Sequence, residues 1–433
     1  MDLPKALVAN EGGRYVTGGT RRSARKGTGA LRLALAVGAL TTAAAPAAAT
    51  PAAATSVGPP AAYRTAPDAQ EIHGTPAATT APPLVPSGRT ATDAIAPGER
   101  KFYAVHLDSA SDAYVSAVAA PRPGSTPGLR DGIDVALRRT DGTPCGPSRH
   151  RSFLAEGGAY PLADHAERLA GTSGPCAAAG AYHFVVARGD ADGGDSAPVS
   201  LELTVTTRHP PATPNTTQPP GTWSSEPPPV PAGPAQAVTG GSGFSDAADV
   251  RTGTWKDTIR PGETRFYRTP VTTGRRLFAK ATFGDAPGRV PYVANGVRLG
   301  LNDAARGHVT NRTDGYQGRA VAVPLAAPPP GRDTGPEGWY YLQVSLNTKA
   351  GQGRSEVVPV TLTVTTAPAR STPTARPGPR THGAPDGTPF RTAAASPAPD
   401  GRLKAVGYAG VGTGTALLLV LGGWYLAARR PGE

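Results

Sequence analysis

The sequence predicts an all-β protein. Two tandem jelly-roll-like antiparallel β-sandwiches are joined by disordered Pro-rich linkers, and one C-terminal transmembrane helix follows. Three observations lead there. One domain is written twice, its strands alternate with a period of two, and neither copy shows a sustained 3.6-residue apolar period. The duplication is clearest at Pro97-Gly98-Glu-Arg-Lys-Phe102-Tyr103 and Pro261-Gly262-Glu-Thr-Arg-Phe266-Tyr267. Thr90, Asp93 and Ile95 precede the first signature at the same spacing as Thr254, Asp257 and Ile259 precede the second. Gly180-Ala-Tyr-His-Phe-Val-Val matches Gly338-Trp-Tyr-Tyr-Leu-Gln-Val, and each copy closes on Val-Thr-Thr, at 205–207 and 364–366. A repeat this long is a duplicated domain, because solenoid units recur every ~20–50 residues.

Each copy divides into strands. Val199, Leu201, Leu203 and Val205 alternate with polar residues, as do Val358, Val360, Leu362 and Val364, which places one face of each strand in a core. Lys101–His106, Ala113–Ala119, Ile133–Arg139 and Tyr182–Ala187 are further strands of the first copy. Arg265–Arg268, Leu277–Thr282, Val297–Leu301, Ala320–Pro324 and Tyr340–Leu346 belong to the second. Pro-Gly supplies the turn before each aromatic strand. The pairs Phe102/Tyr103 and Phe266/Tyr267 then put one ring in the core and one partly in solvent.

The expected domains follow from composition: a signal peptide (1–49), a disordered Ala/Pro-rich segment (50–68), sandwich 1 (69–207) and a Pro-rich linker (208–234). Sandwich 2 (235–366), a disordered Pro-rich stalk (367–404), a transmembrane helix (405–428) and a cytoplasmic tail (429–433) complete the chain. The leader has a basic start, a short apolar stretch from Ala30 to Leu40 and an Ala47-Ala48-Ala49 cleavage site. Arg21-Arg22 is followed by Ala24 and Arg25 where a twin-arginine signal wants bulky apolar residues, so general secretion is expected. Residues 405–428 carry no charge and reach ~36 Å as a helix, enough to span a bilayer. Tyr408, Trp424 and Tyr425 suit the two interfaces, and Arg429 and Arg430 stop transfer on the cytoplasmic side. Gly410 and Gly414 make a G-x-x-x-G step compatible with helix pairing. The localisation expected is a single-pass cell-membrane protein with most of the chain outside.

Net charge of +12 raises the question of nucleic acid. The leader contributes +5 and residues 367–433 another +5, leaving +2 for the region between. A nucleic-acid surface has to be built into the fold, so nucleic-acid binding is excluded.

The order P-G-E-x-x-F-Y, Asp134-Val-Ala-Leu-Arg-Arg-Thr-Asp-Gly-Thr143, Gly180-Ala-Tyr-His-Phe and a closing alternating strand resembles the bacterial pre-peptidase C-terminal domain. The resemblance covers both copies. In the second, Asn295 to Leu301 keeps the strand but lacks the D-G-T turn. It implies a secreted β-sandwich with an accessory role: surface attachment, substrate targeting or help with export. No enzyme is present here for the domains to serve.

Chemistry-bearing motifs are sparse. No H-E-x-x-H, G-x-S-x-G or G-x-x-x-x-G-K-[ST] occurs. Cys145 and Cys176 form an even pair outside the membrane, hence an expected disulfide, clipping an insertion that holds Arg149, His150 and Arg151. Asp190, Asp192 and Asp195 are a weak calcium candidate on a Gly-rich loop, with a solvated hairpin tip the simpler expectation. No cofactor is expected. The function expected is non-catalytic: a cell-surface protein presenting two sandwiches on a membrane-anchored stalk for binding or envelope-complex assembly. Its partner would be a cell-wall polymer or an extracellular or membrane protein. The alternative is an extracellular enzyme acting on envelope polymers through an active site that no motif reveals.

Overall fold

The computed structural model describes residues 59–210, 227–331, 334–351 and 357–369. The leader, most of the linker, nearly all of the stalk, the expected transmembrane helix with its Tyr408, Gly410, Gly414, Trp424 and Tyr425, and Arg429 and Arg430 lie outside these residues. Among the described residues no helix is long and apolar enough to cross a membrane.

The described chain is all-β. Helix is limited there to two 3₁₀ turns, Ala78–Thr80 and Thr348–Ala350. The first copy opens with β1 (Gln70–Glu71), β2 (Thr90–Ile95), β3 (Arg100–Leu107) and β4 (Asp112–Ala120). It continues with β5 (Gly132–Arg139), β6 (Arg149–Ser152), β7 (Leu162–Arg168), β8 (Gly180–Arg188) and β9 (Val199–Arg208). The second copy begins with β10 (Gln236–Ala237), β11 (Ala248–Asp249), β12 (Gly253–Ile259), β13 (Thr264–Val271) and β14 (Arg275–Phe283). Its remaining strands are β15 (Val293–Asn302), β16 (His308–Tyr316), β17 (Val321–Ala326), β18 (Gly338–Leu346) and β19 (Val358–Pro368).

Each copy is a two-sheet sandwich. In the first, β1-β2-β9-β4-β7 faces β3-β8-β5-β6 across one core. In the second, β10-β12-β19-β14-β17 faces β11-β13-β18-β15-β16. Apart from the short parallel strands β1, β10 and β11, pairing is antiparallel, and the order of the main strands is the same in both copies. The alternating closing strands do what their period requires: Leu201, Leu203, Leu362 and Val364 point inward with almost no exposure. Each such side chain contributes ~1.5–3 kcal/mol on burial.

The repeat signature builds a tight turn. Gly98 and Gly262 take φ of 74° and 88°, the left-handed region that a β-carbon resists. The chain then turns into β3 or β13 and buries Tyr103 or Tyr267 completely. Tyr103 donates to Asp93 Oδ2 at 2.8 Å, and Tyr267 to Asp257 Oδ2 at 2.7 Å. The backbone N–H of Gly74 or Gly240 donates to the same oxygen at 2.8 Å. Each sandwich thus carries the same buried Asp–Tyr lock, which closes its first strand against its aromatic strand.

Three placements differ from expectation. Residues 59–68, assigned by composition to a disordered segment, pack on the body. Ala61 N donates to Glu263 Oε1 at 3.0 Å, and Tyr63 Oη to Glu202 Oε2 at 3.1 Å. Arg149, His150 and Arg151 are not an insertion; they form β6, paired with β5. The Cys145–Cys176 disulfide is present and joins the loop after β5 to the loop after β7. Finally, Phe266 is fully buried rather than partly solvated, whereas Phe102 is half-buried as expected. The seam between the sandwiches covers Phe266.

Candidate functional site

The outer face of β4, β7 and β9 in the first sandwich meets β13, β15 and the loop before β11 in the second. Val118 and Ala163 pack with Phe244, Ala247 and Phe266, while Tyr63 and Tyr341 close the edges. Phe244 lies 5.1 Å from Phe266 and 4.9 Å from Tyr341 between ring centroids, within the range of favourable aromatic pairs.

Around this apolar patch the seam buries an unusual number of charges. Glu156 of the first sandwich takes Arg298 of the second, with Arg298 Nε at 2.7 Å, and also pairs with Arg151. Arg298 further donates to Gln343 Oε1 at 3.1 Å, so the guanidinium is satisfied from several sides. Arg306 pairs with Glu202, and Asn302 donates to the carbonyl of Ala163 at 3.3 Å. His165 Nε2 and Asp303 Oδ2 are 3.0 Å apart across the same seam. A β-carbon at position 307 would fall 2.2 Å from His165 Nε2, so only Gly307 permits that approach.

These surroundings displace the titrations. Burial depresses the Arg298 guanidinium to about 10. Burial, with Arg151 and Arg298 nearby, pulls His308 down to about 3, which keeps it neutral. Burial raises the Asp164 carboxyl above its usual range. Burial opposes charge on His165 as well, but the hydrogen bond and charge of Asp303 outweigh it and raise that imidazole.

A His–Asp pair beside further carboxylates has the composition of a general acid–base site. Its position argues against turnover. His165 is 5% exposed, Asp303 2% and Glu156 1%, so a substrate has no access to them. Breaking such buried pairs costs ~3–5 kcal/mol because one charge is left uncompensated. The cluster therefore holds the two sandwiches in one register.

The sequence-predicted residues fall elsewhere. Pro97, Gly98, Tyr103, Pro261, Gly262 and Tyr267 serve the turns and locks. Asp190, Asp192 and Asp195 do not converge: Asp192 faces Arg130 at 3.5 Å, and Asp195 caps the N–H of Ala197 at 2.9 Å. Among the described residues no group of three or more His, Cys, Asp or Glu is placed to hold a metal ion.

The second sandwich also carries an open groove. The loop after β14 and the turn between β16 and β17 bound a groove of about 500 Å³, lined by Asp285, Arg289, Val290, Gln317 and Arg319. Ala286 N bonds to Gly318 O at 3.0 Å, and Asp285 Oδ1 accepts from Ala320 N at 2.8 Å, fixing the two walls together. No sequence motif marked it, because its residues come from two separate loops.

No family model matches the chain, and no curated protein matches it. Among solved structures it is similar to the N-terminal CBM22-1-CBM22-2 tandem domain of Xyn10C from Paenibacillus barcinonensis. Identity there is 10% over 65% of this chain and 92% of that one, with a TM-score of 0.18. The ANX2 ectodomain from Arabidopsis thaliana matches at 9% identity over 65% of this chain and 84% of its own, with a TM-score of 0.18. Tripeptidyl peptidase 2 matches at 10% identity over 66% of this chain and 24% of its own, with a TM-score of 0.19. At these scores the function rests on the chain's own residues.

Proposed function

We propose that this chain is a non-catalytic surface protein that presents a fixed pair of jelly-roll sandwiches of the pre-peptidase C-terminal type. They stand outside the cell, tethered by residues 405–428, and bind an envelope polymer or protein. One observation carries the reading: the titratable groups that converge in the body are sealed in the seam between the sandwiches, where they can align surfaces but not meet a substrate. The strand order supports the jelly-roll description. Eight main strands per copy fill two four-stranded layers, β2-β9-β4-β7 with β3-β8-β5-β6 and their counterparts in the second copy, and apart from the β5–β6 and β15–β16 hairpins consecutive strands lie in opposite layers. A disulfide in the first sandwich suits an oxidising compartment.

The test uses the full chain purified in detergent. Affinity capture from solubilised envelopes, with mass spectrometry, and sedimentation with insoluble cell-wall material are expected to retain a partner. Incubation with soluble wall fragments is expected to leave them unchanged. Release of new sugar or peptide ends would replace this reading with the enzymatic one. Failure to retain either polymer or protein would remove its content.

A further inference from the structure

We infer that the groove on the second sandwich binds a carboxylate-bearing sugar unit of an acidic polysaccharide; this rests on the binding role proposed above and names its ligand class. Arg289 and Arg319 line the groove from its two walls. Both are exposed, and among the described residues neither has an ion-pair or hydrogen-bond partner. Most other arginines of the sandwiches are committed, as in the pairs Arg188–Asp131, Arg298–Glu156 and Arg306–Glu202. Asp285 is the one acidic lining residue, so two guanidinium charges against one carboxylate leave the groove net positive.

A guanidinium offers a planar fork of donors that fits a carboxylate or phosphate. The surroundings favour the sugar acid. Tyr292, on the same loop as Arg289, is 66% exposed, and a β-carbon on Gly315 would come within 2.6 Å of its ring. Glycine at 315 thus lets the ring lie on the backbone of β16, beside the turn that carries Arg319. An exposed ring held in place offers an apolar face to the C–H side of a sugar. Gln317, in the groove wall, adds an amide that both donates to and accepts from hydroxyls. The volume lies within the usual range for ligand sites, roughly 300–1,000 Å³.

The first sandwich shows that this end of the fold need not be open. Between its corresponding loops, Phe153 is fully buried and Asp131 is paired to Arg188, with Nε at 2.9 Å and Nη2 at 2.8 Å. The cavity beside them, shared with the loop after β8, holds only about 10 Å³.

The test measures binding of the full chain in detergent to polygalacturonate, inorganic polyphosphate and neutral dextran at fixed salt. R289Q/R319Q is expected to weaken polygalacturonate binding by about tenfold or more. Y292A is expected to weaken it by about threefold while leaving polyphosphate unaffected. The control R89Q/R251Q removes two exposed arginines elsewhere and is expected to change little. Unchanged melting temperatures would show that the variants are folded. The inference is overturned if the control weakens polygalacturonate as much as R289Q/R319Q. It also falls if polyphosphate binds as tightly as polygalacturonate with no dependence on Tyr292, or if the wild type binds polygalacturonate no better than dextran. Failure of the wild type to bind polygalacturonate, with partner capture intact, would sink this inference alone. Absence of partner capture together with product release would sink the broader reading instead.

Discussion

In the first sandwich Phe102 lies half-exposed at 6.3 Å from His183, whereas Phe266, its counterpart, is sealed against Tyr63, Phe244 and Tyr341. Asp134 of the first copy, at the register position of Arg298 in the second, makes an exposed pair with His150. Arg298 instead reaches the buried Glu156. Inside, the copies have hardly parted: Asp93 and Asp257 accept the same tyrosine hydroxyl and the same backbone N–H. The two sandwiches agree in the interior that each fold needs and differ on the outer faces, where an altered side chain disturbs no core. The seam and the groove are both products of that freedom.

The sharpest way to break this comparison is R298M. It leaves the Glu156 carboxylate with less compensation in a dry seam and is expected to cost ~3–5 kcal/mol in urea unfolding. D134A, at the same register position in the first copy, should stay within ~0.5 kcal/mol because its pair is exposed. Equal effects would mean that the seam charges carry no special weight. C145S/C176S comes next. The bridge spans a separation of 31 residues, and its loss should cost about 3–4 kcal/mol. Hydrogen exchange should show that loss in the first sandwich, with the second core protected as before.

A finer contrast separates the two locks. Each aspartate accepts from its tyrosine and two backbone N–H groups, but D93A also strips Lys101 Nζ, 2.8 Å away and largely buried, whereas D257A strips no such cation. Losses of ~2–3 and ~1–2 kcal/mol are expected, and the reverse order would contradict the extra buried charge. The pH profile reads the two seam histidines. His308 is held below its usual 6.5, at about 3, so its contribution is present above pH 6.5 and is lost as pH falls toward 3. His165 is held above 6.5, so its contribution is complete below 6.5 and is lost as pH rises through its raised value. H308Q should flatten the acid limb of stability against pH, and H165Q the alkaline limb. Unaltered limbs would show that these imidazoles do not titrate with unfolding.

Much of each sandwich was legible because its residues obey one-sided patterns. The β9 and β19 alternation, the Pro-Gly turns and the cysteine pair each reflect a local rule. Strands β7 and β16 escaped for opposite reasons. In β7, Leu162 to Arg168, both faces are buried, the second by the seam, so Asp164 and His165 interrupt any alternation. In β16 the edge position leaves Asn311, Arg312, Thr313 and Asp314 in or near solvent. The seam itself was invisible, since a buried salt bridge and a surface one use the same letters. One signal was available and passed over: Ala69-Gln-Glu-Ile-His-Gly74 and Ala235-Gln-Ala-Val-Thr-Gly240 form an A-Q-x-[IV]-x-G repeat ahead of both signatures. Its glycines donate to the lock aspartates.

The seam joins unlike partners: the β4–β7–β9 layer of one copy meets the β13–β15–β18 layer of the next. Pairing by a two-fold axis would spend the same face twice and terminate. Head-to-tail docking leaves the β14–β17–β19 layer of the second copy outside the seam. That layer carries Lys280, Pro324 and Thr361 at the register positions of Ser116, His165 and Glu202, so the seam ends at two modules: a third would meet neither the carboxylate nor the imidazole that fix the first pair.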